Sequence, residues 1–267
     1  MLKHTACYSS VPITVQAGLR IDSPLDYIPG MIFNEKVVSH AVNNLAAIQM
    51  PLALFDLDNT LLAGDSDYLW GCFLVDKGLV DKQLYEEANQ RFYREYTEGK
   101  LDIHEFLNFA LQPLANNDSV VLQSLHQEFM EQHIKPIMTA RGRELIAEHR
   151  SKGDHPVIIT ATNSFVTRPI AQAFGVGDLI ATEPEIANGH YTGKVVGTPC
   201  FQRGKIERLH AWLKATELEF DDSWFYSDSH NDLPLLEAVA HPVAVDPDTQ
   251  LRAVASERGW PIMSFRD

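Results

Sequence analysis

The chain has 267 residues, 45% of them hydrophobic, with 36 acidic against 22 basic side chains and a formal charge of −14. That length suits one large domain or a core with an insertion, and the apolar share is enough to bury a real interior. The charge argues against nucleic acid and anionic membrane surfaces as partners, since both would repel it. No stretch of 18 uninterrupted apolar residues suggests a membrane span, and Met1–Arg20 lacks a compact apolar run of signal-peptide type. Cys7, Cys72 and Cys200 are odd in number and far apart, which fits neither a disulfide framework nor a zinc site. The expectation is a soluble protein in the reducing cytoplasm. Oligomeric state is left open.

Residues 1–30 have no sustained period, and Asn34–Gln49 has the apolar spacing of a short helix. Residues 1–49 read as an extension outside the catalytic fold, with an arm packed on the core as the alternative. From Leu52 a strand-helix rhythm begins. Leu52–Phe55 is an apolar run ending in acids, as a buried parallel strand should be. Residues 67–136 are helical in pattern, with Asn116-Asn117-Asp118 breaking two helices and Asp118 placed to cap the next. Thr139–Ser151 reads as a helix and Val157–Ile159 as a second strand. A helix over Phe165–Phe174 and a third strand over Leu179–Thr182 follow. His190–Val196 reads as a hairpin arm after the turn Asn188-Gly189. Then come a helix over Lys205–Ala215, a strand over Trp224–Ser227, a helix over Asp232–Ala240 and a strand over Pro242–Val245. The alternation predicts an α/β fold with a Rossmann-like parallel sheet, whose ligands bind beyond the carboxyl ends of the strands.

The first strand delivers Asp56-Leu57-Asp58-Asn59-Thr60. One carboxylate can attack phosphorus to form an acyl phosphate, and a second can serve as general acid and then base. Read alone, Asp-x-Asp suits a solvated or capping loop equally well. The second strand leads into Thr160-Ala161-Thr162-Asn163, a hydroxyl and backbone N–H groups suited to phosphate oxygens, or simply a helix cap. Lys205 opens a helix after Gly204, where it would balance anionic charge, though most lysines are surface residues. The fourth strand leads into Asp228-Ser229-His230-Asn231-Asp232, which with the first pair would make an oxygen-rich site of the kind Mg2+ prefers. An acidic chain that handles phosphate needs such local cations. The conjunction of three strand ends and one helix start is what points to phosphoryl transfer.

At these residues the chain resembles the haloacid dehalogenase-like hydrolase superfamily, from about Met50 to Pro261. Asp56-Leu57-Asp58-Asn59-Thr60-Leu61 looks like its first motif and Asp228 to Asp232 like its fourth, with Thr160 and Lys205 fitting the short second and third. Tyr191-Thr192-Gly193, Asp232-Leu233-Pro234-Leu235-Leu236, Val245-Asp246-Pro247 and Arg258-Gly259-Trp260-Pro261 are similar to the phosphoserine phosphatase-like branch, subfamily IB. Members of that branch include phosphoserine and histidinol-phosphate phosphatases. The resemblance implies Asp56 as nucleophile and magnesium ligand, and Asp58 as general acid/base with its backbone carbonyl on the metal. It implies Thr160 on the phosphoryl group, Lys205 neutralising it, Asp228 on the metal, Asp232 supporting that site, and Asn163 and Asn231 near the phosphate. Ser227 stands where the family usually has glycine.

The resemblance also implies domains: a core of 50–66 and 137–267, and an inserted C1-type helical cap over 67–136 that closes over the site. Asp65 corresponds by position to an acid that meets the substrate amino group in phosphoserine phosphatases. It reads equally as a hinge or capping residue. Arg91 and Arg94 are candidates for a substrate carboxylate, weighed against a solvated helix face. His104, His126 and His133 read as surface residues, and Trp70 and Phe73 as core. The expected activity is Mg2+-dependent hydrolysis of a small phosphorylated metabolite through an aspartyl-phosphate on Asp56. The alternatives are a phosphotransferase using the same intermediate and a catalytically silent binding protein.

Overall fold

The computed structural model describes residues 50–266. The expectations for residues 1–49 lie outside the described residues. Seven strands form one sheet: β1 Leu52–Phe55, β2 His155–Asn163, β3 Asp178–Ala187, β4 His190–Val196, β5 Trp224–Ser227, β6 His241–Val245 and β7 Ile262–Met263, in the order β4-β3-β2-β1-β5-β6-β7. All neighbours are parallel except the β3–β4 pair. β1 lies at the centre because its four residues are apolar and fully buried, with no side that tolerates water. Its side chains alternate between the two faces. Ala53 and Phe55 join one apolar cluster with Ile158 and Tyr226, and Leu52 and Leu54 join the other with Val157, Ile159 and Phe225. The chain runs outward from β1 through β2 and β3, then returns to β1's other flank as β5. The crevice between the carboxyl ends of β1 and β5 is therefore the topological switch point, where such sheets bind ligands.

Between β1 and β2 the chain is helical: α1 Ser66–Asp76, α2 Lys82–Thr97, α3 Ile103–Ala110, α4 Gln112–Asn116, α5 Ser119–Phe129 and, after wider and tighter turns over Met130–Ile137, α6 Ala140–Lys152. Asp65, Asp81, Asp102, Asp118 and Thr139 cap five of them, each accepting a main-chain N–H of the first turn. The remaining helices are α7 Ser164–Ala173, α8 Arg203–Thr216, the single turn α9 Leu233–Leu236, and α10 Thr249–Arg258.

Several expectations need correction. β2 and β3 are longer than their most apolar segments, because β2 runs to Asn163 and β3 continues into the hairpin with β4. The helix expected over Asp232–Ala240 is a tight turn His230–Asp232 followed by α9 alone, since the chain must return to pair His241 with Trp224. The sequence reading missed α10 and β7, although Asp248 caps the one and Gly259 at φ 69° ends it. His126 is not a surface residue but only 4% exposed. It falls on the stripe of Leu122 and Phe129, packs 5.5 Å from the Trp70 ring, and its Nε2 meets the Val166 carbonyl at 2.9 Å. That bond satisfies the ring nitrogen that would otherwise oppose burial. His104 is exposed and His133 half-buried, while Trp70 and Phe73 lie in the core as expected.

Candidate active site

The end of β1 does not continue as strand. Asn59 adopts φ 58°, a left-handed conformation that asparagine tolerates, and the Leu62 N–H bonds back to the Leu57 carbonyl at 3.0 Å. This reversal holds Asp56, Asp58 and Thr60 over the switch point. On the facing side, Gly204 lets α8 approach closely: a Cβ there would sit 2.0 Å from the Pro199 carbonyl oxygen. Lys205, one residue on, is 3% exposed and reaches into the crevice, placing Nζ 2.7 Å from both Asp56 Oδ1 and Asp232 Oδ2. Thr60 Oγ1 lies 3.1 Å from Asp228 Oδ1 and 3.4 Å from Asp56 Oδ2, so one hydroxyl links the acids at the ends of β1 and β5.

Asp58 faces differently. Its Oδ1 accepts the Ser66 N–H at 2.6 Å and its Oδ2 accepts the Thr162 hydroxyl at 2.8 Å. Ser227 donates to Asp232 Oδ2 at 2.6 Å and accepts the Ser229 N–H, so the hydroxyl that departs from the family glycine becomes a third hold on the lysine–acid network. Thr160 is buried and lines the cavity. Asn231 also lines it, taking the Gln202 amide on Oδ1 at 2.9 Å and donating to the Tyr96 carbonyl at 3.3 Å. Asn163 is not brought to the cavity. Its Oδ1 caps α7 through the Val166 N–H at 3.2 Å, while its Nδ2 lies 3.5 Å from Asp67. Asp65 lines the cavity and caps α1 through the Tyr68 N–H at 2.9 Å. Thr162, Ser66 and Tyr96 were missed. Thr162 lay in the quoted turn, but nothing in its neighbours announced a bond to a residue 104 positions away.

Burial dominates the electrostatics. It raises Asp56 to about 7 although Lys205 pulls the other way, with Asp232 and Asp58 adding to the rise. Burial, then Asp65, raises Asp58 to about 6, against the Ser66 and Thr162 bonds. Burial and the charge of Asp56 hold Asp228 well above the carboxylate range. For Lys205 burial acts downward, and the carboxylates of Asp232 and Asp56 overcome it to raise the ammonium. One lysine thus leaves the acid group under-neutralised, which is the charge balance a divalent cation would complete. Among the described residues no three His, Cys, Asp or Glu side chains close on a single point. The carboxylates that the Thr60 hydroxyl links, Asp56 and Asp228, offer hard oxygens at the switch point. Few hard oxygen donors with positions left for water suit Mg2+.

The cavity above these groups measures about 1040 Å³. Its opposite wall comes from the helical insertion, which is tied down at its far end. The Tyr96 hydroxyl donates to Ser229 Oγ at 2.9 Å, and Gln250 Nε2 reaches the Thr97 carbonyl at 3.3 Å. Asp65, Asp67, Asp76 and Glu86 line this wall. Of the cations around the cavity, Lys205 is held as above and Arg266 reaches the Asn59 carbonyl at 2.9 Å, while the largely exposed Lys82 lies 3.8 Å from Glu86. Arg91 and Arg94 do not line it, and Arg91 pairs with Glu105 at 2.7 Å.

A profile of the haloacid dehalogenase-like hydrolases matches residues 53–237. The chain belongs to that family. A histidinol-phosphatase of Neisseria meningitidis is 45% identical over 219 residues, covering 80% of this chain and 99% of that protein. A crystal structure of a Bordetella pertussis protein described as having unknown function superposes with a TM-score of 0.77 at 44% identity, covering 81% of this chain and 99% of that one. A substrate-bound phosphoserine phosphatase superposes at 0.60 with 19% identity, over 82% of this chain and 94% of that one, a likeness of fold.

Proposed function

We propose that the chain is a phosphoric monoester hydrolase that works through an aspartyl-phosphate on Asp56 and requires Mg2+. The observation that carries this reading is the run of contacts from Lys205 Nζ to Asp56 and from Asp56 through the Thr60 hydroxyl to Asp228. It supports a carboxylate nucleophile beside a buried ammonium, with a second acid in the same crevice. Asp56 attacks phosphorus, the bond from phosphorus to the alcohol oxygen breaks, and Asp58 gives the leaving oxygen its proton. A carboxyl raised to about 6 holds a usable share of protons near neutrality for that role. Asp58 then takes a proton from water, whose oxygen displaces Asp56 from phosphorus and frees phosphate. Thr160 and Lys205 bind the phosphoryl oxygens, and Asn231 orders the loop beside them. Bound Mg2+, held by Asp56, Asp228 and the Asp58 carbonyl with Asp232 in support, would neutralise phosphoryl charge. The helical insertion acts as the cap that excludes water.

For the substrate, a phosphomonoester with a cationic alcohol part fits better than phosphoserine. The cavity wall offers four acids against the largely exposed Lys82 as its one loosely held cation, and the Neisseria relative's name agrees. A small phosphorylated metabolite of the histidinol-phosphate type is the reading. The test is phosphate release from a panel that includes histidinol phosphate and phosphoserine. Asp56→Asn should lower kcat by at least about 10⁴-fold, the scale of losing a covalent nucleophile. Chelator should abolish turnover and Mg2+ restore it. Full activity in Asp56→Asn, or in metal-stripped protein, would refute the mechanism. Transfer of phosphate to an added alcohol in preference to water would favour a phosphotransferase.

A further inference from the structure

The chain enters α8 through a sharp turn. The Phe201 carbonyl accepts the Gly204 N–H at 2.8 Å, and Gln202 between them sits at φ 48° and ψ −120°. That is the first inner position of a type II′ turn, a left-handed conformation dominated by glycine. A long side chain there carries a steric cost and persists only where its surroundings or its role require it. The turn has no slack to give, because Gly204 has no room for a Cβ against the Pro199 carbonyl oxygen, and α8 must start here to carry Lys205 into the crevice. What the glutamine side chain adds is one contact: Nε2 donates to Asn231 Oδ1 at 2.9 Å, across 29 positions of sequence. The direction of that bond is set from the far side. Asn231 Nδ2 lies 3.3 Å from the Tyr96 carbonyl, and a carbonyl only accepts, so Asn231 must turn its oxygen to Gln202. Asn231 is buried, and its main-chain N–H bonds to Ser229 Oγ at 3.2 Å within the loop from Asp228 to Asp232. Lys205 Nζ meets Asp232 of the same loop at 2.7 Å. The start of α8 and the acid loop are therefore joined twice, once by Lys205 to Asp232 and once by Gln202 to Asn231.

We propose that Gln202 is a positioning residue for the phosphoryl-transfer site. It does not line the cavity. It acts through Asn231, holding the loop of Asp228 and Asp232 at a fixed spacing from the helix that carries Lys205. One ion pair alone leaves the loop free to pivot about it, and a second, directional bond removes that freedom, which is how small misplacements of reacting groups are prevented. The steric cost at Gln202 is the counterpart of this hold: glycine would satisfy the turn but could not reach Asn231. The inference rests on the phosphatase reading above and goes beyond it by assigning a role to a residue outside the cavity.

The experiment separates the amide from the turn. Gln202→Met keeps the length and the φ cost but has no N–H to give. Gln202→Gly removes the same bond and relieves the φ cost. Each is assayed as the full chain with Mg2+ on histidinol phosphate and on para-nitrophenyl phosphate, with Tm recorded. Both variants should lose about tenfold in kcat, the scale of one hydrogen bond, with KM within about threefold of wild type, the pattern of an interaction that serves the transition state. Gln202→Gly should nevertheless melt above Gln202→Met. In an Asn231→Ala background Gln202→Met should lower kcat no further, as expected of two residues that share one contact. Wild-type kcat in either variant overturns the assignment and leaves the phosphatase intact. So do a loss confined to KM, a kcat that follows Tm from one variant to the other, and losses that multiply in the double variant. Should one single variant fail to fold, the other, alone and combined with Asn231→Ala, decides. A wild-type chain that releases phosphate from neither these esters nor the panel above overturns the phosphatase reading and this inference with it.

Discussion

Asp56, Lys205 and Asp232 hold one another at 2.7 Å at the ends of the central strands, while across the cavity Asp67 has nothing nearer than an amide at 3.5 Å. The two walls follow opposite rules. On the sheet side most polar groups are held by one another, so the geometry is fixed before any ligand arrives and little reorganisation is left for the reaction. On the helical side Asp67 has only a long contact to the Asn163 amide, and the buried Trp70 indole N–H has no hydrogen-bond partner. The lysine and acids at the strand ends are paired, and the acid of the helical wall is nearly unpaired.

Mutation can break this comparison. The largest effect is expected from Lys205→Met, which strips the prepaired wall of its ammonium and leaves Asp56 and Asp232 facing each other in a dry site. Removing one partner of a buried ion pair costs about 3–5 kcal/mol, measurable as a lower urea midpoint, and the protonated Asp56 that results should be inactive. An unfolding free energy from the same urea melts within about 1 kcal/mol of wild type would mean the network is not as tight as its distances suggest.

The next effect belongs to the helical side. His126 is buried and its pKa is lowered, first by burial, from its usual 6.5. A base depressed in the folded state makes the unfolded chain the better proton acceptor. Its share of stability is therefore complete above 6.5 and is lost as pH falls through 6.5 toward the folded value, by at most about 1.4 kcal/mol per pH unit. His126→Leu should flatten the fall in stability between pH 7 and pH 5, read from urea melts at each pH. An unchanged slope would place the acid sensitivity elsewhere.

The smallest effect sharpens the prepaired side. Ser227→Ala deletes one of the holds on Asp232 and should cost about 1–2 kcal/mol with a modest loss of kcat, while Ser227→Thr, if accommodated, should recover part of it. Equal behaviour of Ala, Gly and Thr at this position would mean the hydroxyl contributes nothing to the network.

The same division governed what the sequence could disclose. Asp56, Asp58, Lys205 and Asp228 follow strand ends or a helix start, and a strand end can be read from a short apolar run such as Leu52–Phe55. The pocket acids of the insertion, Asp67 among them, sit at or near helix starts or on helix faces where an acid facing a cavity and one facing solvent follow the same local pattern. Asn163 illustrates the limit: its place after β2 suggested a ligand, but helix capping claimed its side chain. Thr162 and Asp58 meet only because β2 pairs beside β1 in a register that no local pattern fixes. His126 was legible in principle, since Leu122, His126 and Phe129 share one helical stripe. What local sequence does not carry is the Val166 carbonyl, 40 positions away, that satisfies the ring nitrogen and permits burial.

The contact between Tyr96 and Ser229 has a kinetic meaning. Together with the bond from Asn231 it fastens this end of the insertion to the loop that carries Asp228, and the bond from Gln250 fastens it to the start of α10. Such neutral bonds contribute about 1 kcal/mol each, so an unlatched form would be populated at about one part in a hundred. That population is ample for molecules to come and go within a catalytic cycle, yet small enough that the latched form dominates at rest. Weakening the Tyr96 bond, as in Tyr96→Phe, should shorten the stay of product before it alters the cleavage step.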